Sequence, residues 1–122
     1  MEVSRPRILV LEDDPASQKV ASGMLDRLGY DADIVASGKA AVEAASRFAY
    51  SLILIECQVE QGAGYWAARQ IRSSGLSCAA PIIALTIADD SDAWRKAGMD
   101  GHLRKPARLN EIAQVVEEWL GQ

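Results

Sequence analysis

The sequence predicts an α/β domain in which a parallel β-sheet is covered by helices on both faces. Short aliphatic runs alternate with longer segments of helical periodicity, and this alternation occurs five times along the chain. The strand segments are apolar throughout, as expected for strands that are buried on both faces. With 122 residues, 49% of them hydrophobic, the chain is long enough for one core, so we predict a single domain over residues 1–122.

The elements can be assigned in order along the chain. The predicted strands are Arg7–Leu11, Ala32–Ala36, Leu52–Ile55, Ile82–Thr86 and His102–Arg104. The predicted helices are Pro15–Leu28, Gly38–Phe48, Gly64–Ser73, Asp90–Ala97 and Leu109–Leu120. The first helix has a clear start, because Asp14 can accept bonds from terminal backbone amides and Pro15 follows where no amide is needed. The last helix has one apolar stripe for packing on the sheet, formed by Ile112, Val115, Val116, Trp119 and Leu120.

Composition and charge exclude several classes of protein. Thirteen basic and seventeen acidic residues give a net charge of −4 without a long basic run, which argues against direct contact with nucleic acid. The aliphatic runs are far shorter than the roughly 20 residues that cross a bilayer, and the first residues lack signal-peptide features. We therefore expect a cytoplasmic domain that does not contact membranes. Cys57 and Cys78 lack metal-binding spacing and are expected to be reduced thiols.

Polar side chains follow four of the predicted strands at their carboxyl ends. They are Glu12, Asp13 and Asp14 after the first strand, Glu56 after the third, Thr86 at the end of the fourth and Lys105 after the fifth. In a parallel sheet these ends meet at one edge, where ligands of such sheets bind. Carboxylates suit Mg²⁺, and a lysine suits a phosphoryl oxygen or a carboxylate. The combination predicts a site for an acyl phosphate and its metal ion.

Each of these residues also has a simpler interpretation. Asp14 fits a helix cap better than a metal ligand. Glu12 and Asp13 could be solvated loop acids, Thr86 an ordinary β-branched strand residue, and Lys105 a surface lysine. Their joint placement at successive strand ends is what favours a site.

The chain resembles the receiver domains of two-component response regulators, especially those of hybrid sensor kinases. The similar segments are "RILVLEDDPASQKVA", "LGYDADIVASGKAAVEA", "YSLILIECQ", "GYWAARQIR", "PIIALT" and "AGMDGHLRKPARLNEI". The resemblance implies a flavodoxin-like doubly wound sheet of strand order 2-1-3-4-5, in a domain that is not an enzyme. It implies a histidine kinase, a phosphotransfer protein or the flanking domains of a hybrid kinase as partners, and a monomer or weak homodimer.

The resemblance also implies a set of metal ligands. The acidic pair that binds Mg²⁺ in the family corresponds to Glu12 and Asp13. The phosphoacceptor position, which also contributes to the metal site, corresponds to Glu56. The backbone carbonyl two residues later, which belongs to Gln58, is a further expected ligand.

Other family positions surround the phosphoryl group. The hydroxyl after the fourth strand corresponds to Thr86, and the lysine that precedes a proline after the fifth strand corresponds to Lys105. Pro106, directly after that lysine, is a candidate for a cis peptide bond. The aromatic switch of the family falls on His102, where the family usually has tyrosine or phenylalanine. The segment around the fourth helix is shorter than usual in the family, so we predict that this helix is reduced.

The main departure from the family is Glu56, because the phosphoacceptor is normally aspartate. One extra methylene extends the carboxylate by up to about 1.5 Å, and misplacing a nucleophile by about 1 Å costs on the order of 100-fold in rate. The longer side chain also reaches towards Lys105, where it could imitate part of the phosphorylated state. The sequence therefore favours a degenerate receiver that acts by protein interaction, with a working receiver that tolerates Glu56 as the alternative.

A third hypothesis comes from "GAGYWA", residues 62–67, which matches the glycine pattern of dinucleotide-binding domains. That pattern normally follows the first strand directly, and an acidic residue ends the second strand. Here the glycines follow the third predicted strand and the next one ends in Thr86. We therefore keep dinucleotide binding only as a remote alternative.

Overall fold

The structure of the chain is a computed structural model that describes residues 6–59, 62–87 and 91–120. Its strands are β1 (Arg7–Leu11), β2 (Asp31–Val35), β3 (Leu52–Glu56), β4 (Ile82–Thr86) and β5 (Gly101–Arg104). Its helices are α1 (Pro15–Arg27), α2 (Gly38–Arg47), α3 (Ala63–Ser73), α4 (Ser91–Lys96) and α5 (Leu109–Leu120). All neighbouring strands pair in parallel in the order β2-β1-β3-β4-β5, so the predicted fold class is confirmed.

Some predicted boundaries were wrong by a residue. The second strand lies one residue earlier than predicted, because Asp31 already pairs with Arg7 in the ladder. Helix α2 ends at Arg47 because Phe48 has extended backbone angles, although its N–H still donates to the carbonyl of Ala44. The predicted start of the fourth helix, Asp90, lies outside the described residues. Helix α4 has six residues against ten to thirteen in the other helices, which confirms the predicted short fourth helix.

The sheet separates two hydrophobic layers. Alternate residues of each strand point to opposite faces, so Ile8 and Val10 join one layer while Leu9 and Leu11 join the other. Helices α1 and α5 cover the first layer, and helices α2, α3 and α4 cover the second. Every residue of β3 and β4 is buried, as both-face coverage requires.

Arg72 holds the amino-terminal edge of the sheet together. Its guanidinium donates to the backbone carbonyls of Gly98 (2.8 Å), Cys78 (3.0 Å) and Ala80 (2.5 Å). It also donates to the carboxylate of Asp100 at 2.5 Å, and the same carboxylate oxygen accepts the backbone N–H of residue 82 at 2.9 Å. This cluster, which we call the Arg72 staple, ties the end of α3 to the starts of β4 and β5. Sequence patterns did not predict it.

None of the helices in the described part of the chain combines the length and the apolar character that crossing a bilayer requires.

Candidate functional site

The carboxyl edge of the sheet brings the predicted site residues together. Glu12 and Glu56 extend from the ends of β1 and β3, which are neighbours in the sheet, and both are buried, with 3% and 5% of their surface exposed. Thr86, at the end of β4, is also buried. Lys105, directly after β5, reaches across this edge. Its ammonium donates to Glu12 Oε2 at 2.7 Å and to Glu56 Oε2.

The second oxygen of each carboxylate is also bonded. Glu12 Oε1 accepts the backbone N–H of Asp14 at 3.2 Å, and Glu56 Oε1 accepts the backbone N–H of Gln58 at 2.8 Å. The side-chain amide of Gln18 donates to the backbone carbonyl of Glu12 at 2.6 Å, which fixes the loop after β1. Two buried carboxylates are tolerated here because a cation lies between them and the remaining lone pairs are satisfied.

The environment of Lys105 favours its charged form. Desolvation by the surrounding protein lowers the pKa of the Lys105 ammonium, but the hydrogen bonds and charges of Glu12 and Glu56 outweigh it. The net result is a pKa above the usual value of a lysine side chain. Lys105 is therefore a permanent cation of this site at physiological pH.

The acids after Glu12 have different roles. The side chain of Asp14 accepts the backbone N–H of Ser17 at 2.9 Å, so its interpretation as the cap of α1 is confirmed. The hydrogen bonds from Ser17 lower the pKa of the Asp14 carboxyl. Asp13 is exposed to solvent. Of Glu12, Asp13 and Asp14, only Glu12 contacts Lys105. We call the charged group that Glu12, Glu56 and Lys105 form the Lys105 cluster.

The donor set for the predicted Mg²⁺ ion can be tested against these contacts. Within the described ranges of the chain, no group of three or more His, Cys, Asp or Glu side chains is arranged to hold a metal ion. The reason is local, since Lys105 lies between the carboxylates of Glu12 and Glu56, and Asp13 is turned to solvent. In this arrangement the residues do not fit Mg²⁺, because a divalent ion would have to displace the lysine.

Gln58 contributes to the site through its side chain. We predicted a role for its backbone carbonyl as a metal ligand, which the structure does not test. The side-chain amide Nε2 donates to Thr86 Oγ1 at 3.2 Å, and Oε1 accepts the backbone N–H of Ile87 at 3.3 Å. Sequence reasoning missed these contacts, because a glutamine in a loop carries no signal about which strand end it will meet.

His102 lies on β5 with its side chain exposed, and it stacks on Trp94 of α4. The ring centroids are 5.3 Å apart at an interplanar angle of 30°, and the guanidinium of Arg95 lies 5.1 Å from the Trp94 ring. The predicted switch residue thus belongs to an aromatic stack between α4 and β5. The peptide bond between Lys105 and Pro106 is cis, so the expectation for Pro106 is confirmed.

An apolar groove of about 230 Å³ runs between α1 and α5 and ends at the Lys105 cluster. Its walls include Val20 and Met24 of α1, Leu54 and Leu85 of the sheet, and Ile112 of α5. Val20 is 55% exposed, so it is accessible to a partner at the rim of the groove. The groove gives this edge of the domain an apolar surface next to a charged one.

The glycines of "GAGYWA" have structural roles. Gly62 precedes α3 with φ +84°, a conformation that favours glycine. A Cβ at Gly64 would lie 2.7 Å from the carbonyl oxygen of Glu56, so only glycine lets α3 approach the end of β3 this closely. The motif therefore packs a helix beneath the Lys105 cluster.

Fold and site together define a class of protein. The chain belongs to the response regulator receiver domain family, whose family model matches residues 8–117. It is thus a receiver domain of two-component signalling.

Among the proteins that this chain is similar to are receiver domains and longer proteins of two-component signalling. The receiver domain of the sensor histidine kinase PA1611 from Pseudomonas aeruginosa, solved with magnesium in its active-site cleft, is 37% identical, with a TM-score of 0.89 over 98% of this chain and 100% of that one. The hybrid signal transduction protein dokA of Dictyostelium discoideum is 35% identical over 98% of this chain, and the sensor protein GacS of Pseudomonas syringae is 33% identical over 95%. The chain spans only 7% and 14% of the lengths of those two proteins.

Proposed function

We propose that this receiver domain is degenerate, and that it acts through contacts with other proteins without being phosphorylated at the acceptor position. The observation that carries the proposal is the bonding of Glu56. Both of its carboxylate oxygens are engaged, one by the Lys105 ammonium and one by the Gln58 backbone N–H. A nucleophilic carboxylate needs an oxygen directed at the incoming phosphorus, and Lys105, the cation expected to bind a phosphoryl oxygen, is already bonded to Glu12 and Glu56.

The contacts of Glu56 also support a partial imitation of the phosphorylated state. A phosphoryl group has three terminal oxygens and nearly two negative charges, whereas a carboxylate has two oxygens and one charge. Glu56 nevertheless binds the cation that we expect to bind a phosphoryl group, Lys105. We therefore propose a domain held in one signalling state, with its partners among histidine kinases, phosphotransfer proteins or domains joined to it in a longer chain.

Phosphoryl acceptance is the direct test. The protein is incubated with acetyl phosphate and Mg²⁺ and its intact mass is measured, alongside the Glu56→Asp variant. We expect no phosphoryl adduct on the natural protein and a measurable adduct on Glu56→Asp, because the shorter carboxylate withdraws from Lys105 and regains the family's geometry. A stoichiometric adduct that maps to Glu56 would refute the proposal and support the working receiver.

Weak magnesium binding is part of the same proposal, because the ion must compete with Lys105 for Glu12 and Glu56. We expect the Lys105→Met variant to bind Mg²⁺ more tightly than the natural protein in a calorimetric titration. Lys39→Met, at an exposed site on α2, is the matched control and is expected to leave the affinity unchanged. Tighter binding by the natural protein would show that Lys105 does not compete with the metal.

The groove between α1 and α5 is the surface that we propose for a partner. Its apolar walls suit the apolar face of an amphipathic helix, as a helical histidine kinase or phosphotransfer domain could present. Val20→Asp is expected to weaken binding of a purified histidine phosphotransfer domain about tenfold or more. Leu76→Asp is the control, since Leu76 is 64% exposed and lies between α3 and β4, away from the groove.

A further inference from the structure

The side chain of Gln58 connects two parts of the site that belong to different strands. Gln58 follows β3 by two residues, and its backbone N–H donates to Glu56 Oε1 at 2.8 Å. The amide at the end of its side chain bonds in both directions to the end of β4, donating to Thr86 Oγ1 and accepting from the Ile87 N–H. One residue therefore contacts the acceptor position through its backbone and the end of β4 through its side chain.

These bonds extend a continuous polar network across the sheet edge. Lys105 binds Glu56, Glu56 binds the Gln58 backbone, and the Gln58 side chain binds Thr86 and Ile87. The network joins the ends of three adjacent strands, β3, β4 and β5. Hydrogen-bonded chains of this kind act as a unit, because each bond orients the donor or acceptor of the next.

The carboxylate of Glu56 has only two oxygens, which explains why a second side chain is needed to reach the end of β4. Both oxygens of Glu56 are used by Lys105 and by the Gln58 backbone, so a carboxylate at this position does not offer the third oxygen that a phosphoryl group has. The Gln58 amide supplies a further acceptor, Oε1, and it binds a backbone N–H just beyond β4. Its Nε2 donor adds a bond to the hydroxyl of Thr86.

We propose that Gln58 is a positioning residue that, together with Glu56, holds the end of β4 in a single conformation without a phosphoryl group. The inference deepens the proposed function, on which it rests, by assigning the coupling between the acceptor position and β4 to a particular side chain. Ile87, whose N–H Gln58 binds, is 62% exposed. Gln58 thereby also fixes where an exposed apolar side chain is presented next to the site.

The test is amide hydrogen exchange of Ile87, measured by NMR on the unmodified protein without a phosphodonor. Gln58→Ala removes both side-chain bonds and keeps the backbone N–H that binds Glu56. We expect the Ile87 amide to exchange about five- to tenfold faster in this variant, the change that corresponds to losing one ordinary hydrogen bond. Gln114→Ala, on the exposed side of α5, is the matched control and is expected to leave the rate unchanged.

Two further variants separate positioning from a merely local effect. Gln58→Glu keeps an acceptor for the Ile87 N–H and removes the amide donor, so it is expected to restore most of the Ile87 protection that Gln58→Ala loses. In a Glu56→Ala background, Gln58→Ala is expected to change Ile87 exchange less than it does in the natural protein, because coupled residues are not additive.

The inference is overturned if Ile87 exchanges equally fast in Gln58→Ala and the natural protein, or if the Gln58 effect is the same with and without Glu56. Unchanged amide protection elsewhere in the sheet, read from the same spectra, shows that each variant is folded. This outcome is independent of phosphoryl acceptance. A phosphoryl adduct on Glu56 would refute the proposed function, whereas unchanged exchange of Ile87 would refute the role of Gln58.

Discussion

The two edges of the sheet each contain an ion-pair network, and the networks differ in what they bind. At the amino-terminal edge, Arg72 donates three hydrogen bonds to backbone carbonyls and one to the Asp100 carboxylate. At the carboxyl edge, Lys105 binds only side-chain carboxylates, those of Glu12 and Glu56. A planar guanidinium presents several donors in fixed directions and can bond several loop carbonyls at once. A compact ammonium instead binds anions as a point charge.

A structural ion pair and a functional one can be distinguished by the groups that their removal leaves without a partner. Removing Arg72 would leave carbonyl groups in two loops, the one before β4 and the one before β5, without their donor, which is a structural loss. Removing Lys105 would leave two neighbouring carboxylates without a cation, which changes what the site can bind. The carboxyl edge is also where the apolar groove and the Gln58 contacts lie. The features to which we assign a function therefore lie at one edge of the sheet, and the Arg72 staple lies at the other.

The largest expected effect is the loss of the Arg72 staple. Arg72→Met should lower the free energy of unfolding by about 3 kcal/mol, because partly buried carbonyls and the Asp100 carboxylate lose a charged donor. Arg69→Met, at an exposed position of the same helix, should change it by less than about 0.5 kcal/mol. Urea denaturation of both variants measures the difference. Equal stabilities would show that the staple contributes little to folding.

Gly64 tests the packing beneath the carboxyl edge. Gly64→Ala places a Cβ 2.7 Å from the Glu56 carbonyl oxygen and 3.0 Å from Ile55 Cγ2. We expect a loss of about 2 kcal/mol of unfolding free energy, since α3 must move away from β3. Gly23→Ala, in the interior of α1 with nothing within 4 Å of the added Cβ, should instead stabilise the protein by about 0.5 to 1 kcal/mol. Thermal unfolding that moves in the same direction for both would contradict this packing argument.

The Lys105 cluster should contribute less to stability than the Arg72 staple. Lys105→Met is expected to cost about 1 to 2 kcal/mol at pH 7, because burial of the ammonium offsets part of its attraction to the carboxylates. The folded-state pKa of Lys105 is raised, so its contribution is fully present below the unfolded pKa of about 10.4. It is lost as the pH rises through the higher folded value.

The measurement is chemical denaturation of both proteins as a function of pH. The difference in unfolding free energy between the natural protein and Lys105→Met should be constant from about pH 7 to 9 and shrink above about pH 10.4. A difference that instead grew with alkaline pH would contradict the raised pKa.

The smallest expected effect is on the reactivity of the two free cysteines. One of them lies near each network. Burial raises the pKa of the Cys57 thiol, beside the carboxyl edge, to about 11. Cys78, whose carbonyl binds Arg72, is partly exposed. Iodoacetamide at pH 8 should label Cys78 more than about tenfold faster than Cys57, because the thiolate is the reactive form and Cys57 is also shielded. Peptide mass spectrometry gives both rates, and equal labelling would mean that the carboxyl edge opens readily.

From the amino-acid sequence alone we predicted the fold class, the approximate elements and the residues that reach the carboxyl edge. Apolar strands and amphipathic helices are local periodic patterns, and a parallel sheet necessarily brings the ends of its strands to one side. This is why Glu12, Glu56, Thr86 and Lys105 could be assigned to one site before any coordinates were known. The cap at Asp14 was predictable for the same reason, because capping depends on neighbours in sequence.

The bonds among these groups became visible only in the folded chain. The partners of Lys105 are 93 and 49 residues away in sequence, and those of Gln58 at the end of β4 are 28 and 29 residues away. Their choice depends on how side chains from separate strands are placed relative to one another, which no local pattern encodes. The one methylene that distinguishes Glu56 from an aspartate was visible in the sequence. Its engagement with Lys105, 49 residues away in sequence, became visible only in the folded structure.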